Sequence, residues 1–135
     1  MRSFSGLVLL LAAVSLFGPM ARAGAADVLV VDGDTIIYDG HQVEIWGIIA
    51  PSRAETCVNS RNEKWDCGER AFAELSAAAS YETFACEEKQ TGFVLCKAGG
   101  LDIGLLFVKE GLARSRQDYH DVEARAREAK VGLWE

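Results

Sequence analysis

Four cysteines constrain this chain more than any other feature: Cys57, Cys67, Cys86 and Cys96, separated by nine, eighteen and nine residues. No C-x-x-C occurs among them, which argues against a zinc site. An even count in a small exported domain points to two disulfides, because thiol pairs stay oxidised outside the reducing cytosol. Three connectivities satisfy four cysteines. Sequential pairing, Cys57–Cys67 and Cys86–Cys96, is favoured. Cys86 and Cys96 lie symmetrically about Thr91, and a short hairpin there sets them opposite each other. Cross-strand neighbours fall within the roughly 7 Å of Cα separation that a bridge tolerates. The alternative is four buried free thiols.

Export is also what the start of the chain predicts. Residues 1–23, "MRSFSGLVLLLAAVSLFGPMARA", combine a basic Arg2, an apolar run from Leu7 to Phe17 and a small-residue Ala21-Arg22-Ala23 ending, the pattern of a signal peptide. "AGA" at 23–25 is a second candidate cleavage point, and an uncleaved anchor is the competing reading. The apolar run is about eleven residues, against the roughly twenty needed to cross a bilayer. The expected mature product is therefore a single domain over 24–135, without a membrane span, in the periplasm or secreted. Losing the leader lowers the basic count from 14 to 12 against 20 acids, and the formal charge from −6 to −8. Tight nucleic-acid binding draws most of its affinity from neutralised phosphates. An acidic chain without a Lys/Arg-rich run disfavours it.

Hydrophobic alternation and turn residues outline the fold. "VLVVDGDTIIY" (28–38) gives two β segments about Gly33, and Asp39-Gly40 marks a hairpin into a strand over 42–48. In that strand Val43 and Ile45 share one face, Glu44 and Trp46 the other. A polar loop follows Pro51. A helix is expected from Gly68 to Tyr81, with Phe72, Leu75 and Ala79 at helical spacing, then a hairpin of strands near 83–88 and 92–97. A short helix capped by Asp102 turns Ile103, Leu106 and Phe107 inward and stops at Gly111. Leu112 to Arg116 suits one more strand. A last helix, from Asp118 to Gly132, buries Tyr119, Val122 and Ala126, shows Glu123–Arg127 to solvent and lets Leu133 and Trp134 fold back.

These words, taken in order, resemble the staphylococcal-nuclease-like (thermonuclease) family across nearly all of residues 28–134: "VVDGDTIIYDGHQVEIWGIIAP", "ETC…WDCGERAFAEL", "C…GGLDIGLLFVKEGLAR" and "Y…E..AR....GLW". The resemblance implies a mainly β fold, a five-stranded OB-fold barrel with about three α-helices packed on it. It also implies calcium-assisted hydrolysis of DNA or RNA. In that chemistry two carboxylates hold a hard cation, a glutamate activates water and two arginines stabilise the transition state. Carried over position by position, only the aspartate of the DGDT word is present, as Asp34. Glu44 stands at the first arginine, Ile49 at the second metal aspartate, Ser52 at the general base, and Thr91 nearest the second arginine. Losing a general base alone costs about 10²–10⁴ in rate, and losing one charge donor on the order of 10²–10³.

The acidic pair Asp32 and Asp34 has two readings. In one they satisfy backbone donors of their own turn. In the other Asp34, with Asp32 or with Glu44 projecting from the next strand, holds Ca²⁺ weakly, although no cofactor is otherwise expected. Ser52 has no histidine near it, since His41 lies in a turn and His120 on the last helix. Arg53 and Glu55 flank the old base position and offer a substitute. Trp46, Trp65 and Trp134 read as packing residues, with Trp46 the exception because aromatic side chains on an OB face stack sugars or bases. The favoured function is an exported pseudoenzyme that binds an envelope protein or polysaccharide, with the family suggesting exopolysaccharide production. A weak phosphodiesterase using Asp34, Glu44 and Glu55 is the second reading, and a structural protein acting through its helical face the third.

Overall fold

The computed structural model describes residues 27–135, so the expected leader and its cleavage points lie outside the described residues. Three short strands open the domain: β1 (Val28–Val30), β2 (Thr35–Tyr38) and β3 (His41–Ile45). They form an antiparallel meander in which Val30 faces Ile36 and Ile36 faces Val43. The strand expected over 42–48 breaks at Gly47, whose φ of +81° turns the chain before β4 (Ile48–Ile49). A polar loop carries the small ribbon of β5 (Cys57–Val58) and β6 (Lys64–Trp65), then α1 (Cys67–Ala79). The cysteine hairpin is β7 (Ala85–Gln90) and β8 (Phe93–Ala98). It is followed by β9 (Leu101–Asp102), α2 (Ile103–Lys109), β10 (Arg114–Ser115), α3 (His120–Ala129) and a closing 3-10 turn over Gly132–Trp134.

A multistranded sheet and three helices are present, as expected, in a mixed α and β arrangement. Closure into a five-stranded barrel is not seen. The main sheet runs β1-β2-β3-β8-β7, with β9 on β8, and its hydrogen-bonded path ends at β1 and β7 without joining them. The two ends have physical reasons to stay apart. β1 is three residues long, and α1 lies against it. β7 exposes Glu87, Glu88 and Lys89 and carries an irregularity between Glu88 and Gln90, features that protect an edge strand from pairing. The parallel contact of β3 with β8 puts Glu44 beside Phe93.

The core fills the space between this sheet and α1 and α2. Ile36, Ile45, Leu75 and Val108 are fully enclosed, with Val94 and Phe107 nearly so. On α1 the inward positions are Ala71 and Leu75, while Phe72 is only half-buried, which corrects the expected helix face. The cause is close approach. A Cβ on Gly33 would lie 2.6 Å from the Ala71 Cβ, so helix and turn meet where only small residues fit. On α2 the fully enclosed residue is Val108 rather than Leu106. Asp102 caps this helix by accepting from the Leu105 N–H at 3.2 Å.

The last helix begins later and ends earlier than its sequence suggests. Tyr119 is left-handed (φ +68°), because its ring enters a slot beside Gly47 and Gly104, where added Cβ atoms would come within 2.5 and 3.2 Å of it. Its hydroxyl donates to Asp102 at 2.7 Å, and burial together with that carboxylate pushes the phenol pKa up. At the other end Lys130 is left-handed (φ +52°) and stops α3 before Gly132. Glu123 is not a solvated residue. It accepts from the Ser115 N–H at 2.5 Å and from Arg127, and these donors outweigh burial and hold its carboxyl below the usual range. Trp134 folds back as expected, under the guanidinium groups of Arg127 and Arg114. Among the described residues, no helix is long and apolar enough to cross a membrane.

Both disulfides join neighbours in sequence order, Cys57–Cys67 with Cα atoms 5.7 Å apart and Cys86–Cys96 with Cα atoms 4.0 Å apart, so the favoured connectivity holds. Cys86 and Cys96 are direct cross-strand partners. A loop of this length is expected to contribute about 2–3 kcal/mol by restricting the unfolded chain. The double variant Cys86→Ala/Cys96→Ala should therefore lose at least that much in urea denaturation. An unchanged midpoint and slope would show that the bridge contributes nothing to stability.

Candidate functional site

The DGDT turn sits where β1, β2, the loop after β4 and the start of α1 converge. Its two aspartates act on backbone donors. Asp32 accepts from the Arg53 N–H, and Asp34 accepts from the Ala50 N–H at 2.8 Å through Oδ2 and from the Thr35 hydroxyl at 2.9 Å through Oδ1. Burial raises the Asp34 pKa above the ordinary 3.8 against the lowering effect of those bonds, and the negative charges of Glu44 and Asp32 push the same way as burial. Both carboxylate oxygens of Asp34 are thus engaged inside the chain.

Glu44 leaves the adjoining strand beside this turn and meets a cation that the sequence pattern did not single out. Arg116, just past β10, donates through Nη1 to Glu44 Oε2 at 2.8 Å. The same guanidinium lies 5.2 Å above the Phe93 ring. Phe93 in turn meets Trp46 edge-on at 6.1 Å, and the Trp46 indole N–H donates to Asp118 at 2.7 Å. Five side chains from three distant segments therefore form one surface: Glu44 and Trp46 from β3 and the turn after it, Phe93 from β8, and Arg116 and Asp118 from the approach to α3. Seventy-two residues separate each of the polar pairs Glu44–Arg116 and Trp46–Asp118, so no local periodicity marks them. The one available signal was charge: a carboxylate projecting where the resemblance puts an arginine needs a cation nearby.

The other candidate positions lie apart from this cluster. Ile49 is 47% exposed on β4. Ser52 is exposed, its carbonyl accepts from the Glu55 N–H at 2.8 Å, and its own N–H donates to Glu55 Oε2 at 3.3 Å. Arg53 pairs with Glu69 at 2.8 Å and stacks 3.5 Å over Phe72. Thr91 is exposed in the β7–β8 turn, next to the Gly92 carbonyl that accepts from the Glu44 N–H at 2.9 Å. His120 faces Ser115 at 2.8 Å rather than Ser52. Among the described residues no three His, Cys, Asp or Glu side chains are grouped so as to hold a metal ion.

No family model matches the chain. The succinoglycan biosynthesis protein ExoI of Rhizobium meliloti (strain 1021) is 30% identical to it over an alignment 129 positions long that takes in 83% of this chain and 68% of that protein. The chain belongs to the ExoI family.

Asp34 offers a direct test of its role in the turn. Asp34→Ala leaves the Ala50 N–H without its acceptor and should cost about 1–3 kcal/mol, whereas Asp34→Asn keeps an acceptor and should cost less. The pH dependence has a defined sign. With its folded pKa raised, Asp34 contributes stability that is fully present below the ordinary 3.8 and is lost as pH rises through the raised value. The urea midpoint of Asp34→Asn should therefore improve relative to wild type as pH increases from about 3 to about 7. Parallel curves for the two proteins would refute the raised pKa.

Proposed function

We propose that this member of the ExoI family is an exported, staphylococcal-nuclease-like domain that has lost catalysis and serves as a binding or accessory module in the cell envelope, in support of exopolysaccharide production. The named role of the ExoI relative in succinoglycan biosynthesis supports the pathway. Two intramolecular disulfides support an oxidising compartment, periplasmic or extracellular. The strand order β1-β2-β3-β8-β7, with its parallel β3–β8 contact, is compatible with a partly open five-stranded OB barrel.

One observation carries the loss of catalysis: at the position of the family's first arginine stands Glu44, already bonded to Arg116. A phosphodiester approaching this face meets a carboxylate and a neutralised guanidinium instead of a free cation. The base and second metal positions, Ser52 and Ile49, supply neither a proton acceptor of suitable pKa nor a ligand for a hard cation. A second reading draws on the same face. Asp34 and Glu44 are close enough for their charges to interact, and Arg116 brings back one guanidinium. A slow calcium-dependent phosphodiesterase using these groups with Glu55 is the activity that reading implies.

The two readings separate in one assay. Oxidised, purified protein incubated with DNA and with RNA in millimolar Ca²⁺ should cleave neither, and Asp34→Ala should behave identically. Cleavage by wild type that disappears in Asp34→Ala would replace the accessory reading with the enzymatic one. In cells, deletion should lower exopolysaccharide output, and a copy carrying Asp34→Asn should restore it.

A further inference from the structure

We propose that the cleft between the β2–β3 and β7–β8 hairpins binds an extended, basic segment of a partner protein. The segment adds as a short strand beside β3 and places a lysine or arginine against Glu88. The cleft has a volume of about 420 Å³ and meets the Trp46–Phe93–Arg116 surface only at Phe93. The proposal deepens the binding-module reading given above and rests on it for the partner being a protein.

The main chain carries the first part of the argument. β3 pairs with β2 from His41 to Glu44, but with β8 only at Glu44 and Ile45. On the side away from β2, no strand among the described residues lies beside His41, Gln42 and Val43. The Glu44 N–H points to that side and donates to the Gly92 carbonyl at 2.9 Å. Alternation along a strand sends the N–H and C=O of Gln42, two residues earlier, the same way. Among the described residues neither group has a main-chain partner there. The cleft runs along this open edge, with Gln42 and Val43 in one wall and Glu88 and Val94 in the other. An open edge is a template for an extended segment, which gains affinity from main-chain bonds and specificity from alternate side chains.

The side chains set the chemistry. Ile36 is fully buried, so Tyr38, two residues on, shares its inner face, as do their cross-strand partners Val43 and His41. Val94 is a core residue as well, and Glu88 lies directly opposite it on β7. Glu88 is therefore a carboxylate on the inner face of the sheet, where the two hairpins diverge. The Tyr38 hydroxyl accepts from the Cys86 N–H at 3.3 Å, which fixes the ring between the hairpins. A lysine or arginine suits such a site, because its aliphatic stem lies along apolar walls while its charged head reaches the carboxylate. The charge balance agrees: Asp39 and Glu88 line the cleft, and no lysine or arginine does. Lys89, next along β7, is offset by Glu87, and Arg116 beside Phe93 is paired with Glu44.

Nuclear magnetic resonance titration of the oxidised protein, purified after export, tests this with an end-blocked pentapeptide, Thr-Val-Lys-Val-Thr. Three controls accompany it: a copy with glutamate for the lysine, a copy N-methylated at its three central residues, and butylammonium. The lysine peptide should shift the Gln42 and Glu88 amide signals, more weakly as salt is raised. N-methylation should weaken it about tenfold, as the loss of main-chain hydrogen bonds implies. Glu88→Gln should weaken it about two- to fivefold, as expected for a single exposed charge contact, without lowering the urea midpoint. The proposal is overturned if these signals stay unmoved, if the glutamate or N-methylated copy binds equally, or if butylammonium reproduces the shifts. It is also overturned if the Gln42 signal moves with protein concentration before peptide is added, which would assign the edge to a second copy of this chain. Cleavage of DNA or RNA in the assay above, alongside peptide binding, would remove the accessory reading and leave the cleft standing. No cleavage and no peptide binding would overturn the cleft and leave that reading standing.

Discussion

Two carboxylates that accept backbone N–H groups hold the sheet, the loop after β4 and α1 together. Asp32 takes the N–H of Arg53 and Asp34 that of Ala50. This segment runs outside the main sheet, so without them its donors would lack protein partners. Leaving either N–H without its acceptor costs about 1–3 kcal/mol, enough to order a short stretch of chain. Gly33, between the two aspartates, lets Ala71 approach from α1. Gly68 does the same from the helix side, where a Cβ would stand 1.8 Å from the Ser52 carbonyl oxygen. A turn that resembles half of a metal site is here a junction between sheet, loop and helix. Its acids have a structural use as acceptors for backbone donors.

On the surface next to this junction the charged side chains answer one another. Glu44 accepts from Arg116 and Asp118 from the Trp46 indole. The Glu44–Arg116 pair is half-exposed and worth on the order of 0.2–1 kcal/mol, so stability is not its main consequence. What it changes is the field, because one carboxylate cancels the guanidinium a phosphate would seek.

Most of the elements could be read from the chain, and the errors have identifiable causes. The hairpin about Thr91 was legible because symmetric cysteines, alternating side chains and a turn glycine agreed. Asp102 was legible as a cap because its own side chain supplies the bond. Phe72 was misjudged because helical spacing cannot show that a glycine turn leaves room only for Ala71. The start of α3 was misjudged because Tyr119 is pulled out of helical geometry by a slot formed at Gly47 and Gly104, far away in sequence.

The sequence by itself determined what depends on neighbours along the chain: the cysteine hairpin about Thr91, the turns at Gly33, Asp39-Gly40 and Gly92, the cap at Asp102, and the absence of an arginine at position 44. Composition also settled the acidic balance. Only the tertiary structure decided which charges meet. Arg116 reaches Glu44 and Trp46 reaches Asp118 across chain paths of more than seventy residues. It also decided that the sheet stays open between β1 and β7, since closure depends on how a helix and a charged edge strand are placed. Periodicity and turn chemistry act over a few residues, whereas the partner of an exposed charge is chosen by the folded surface.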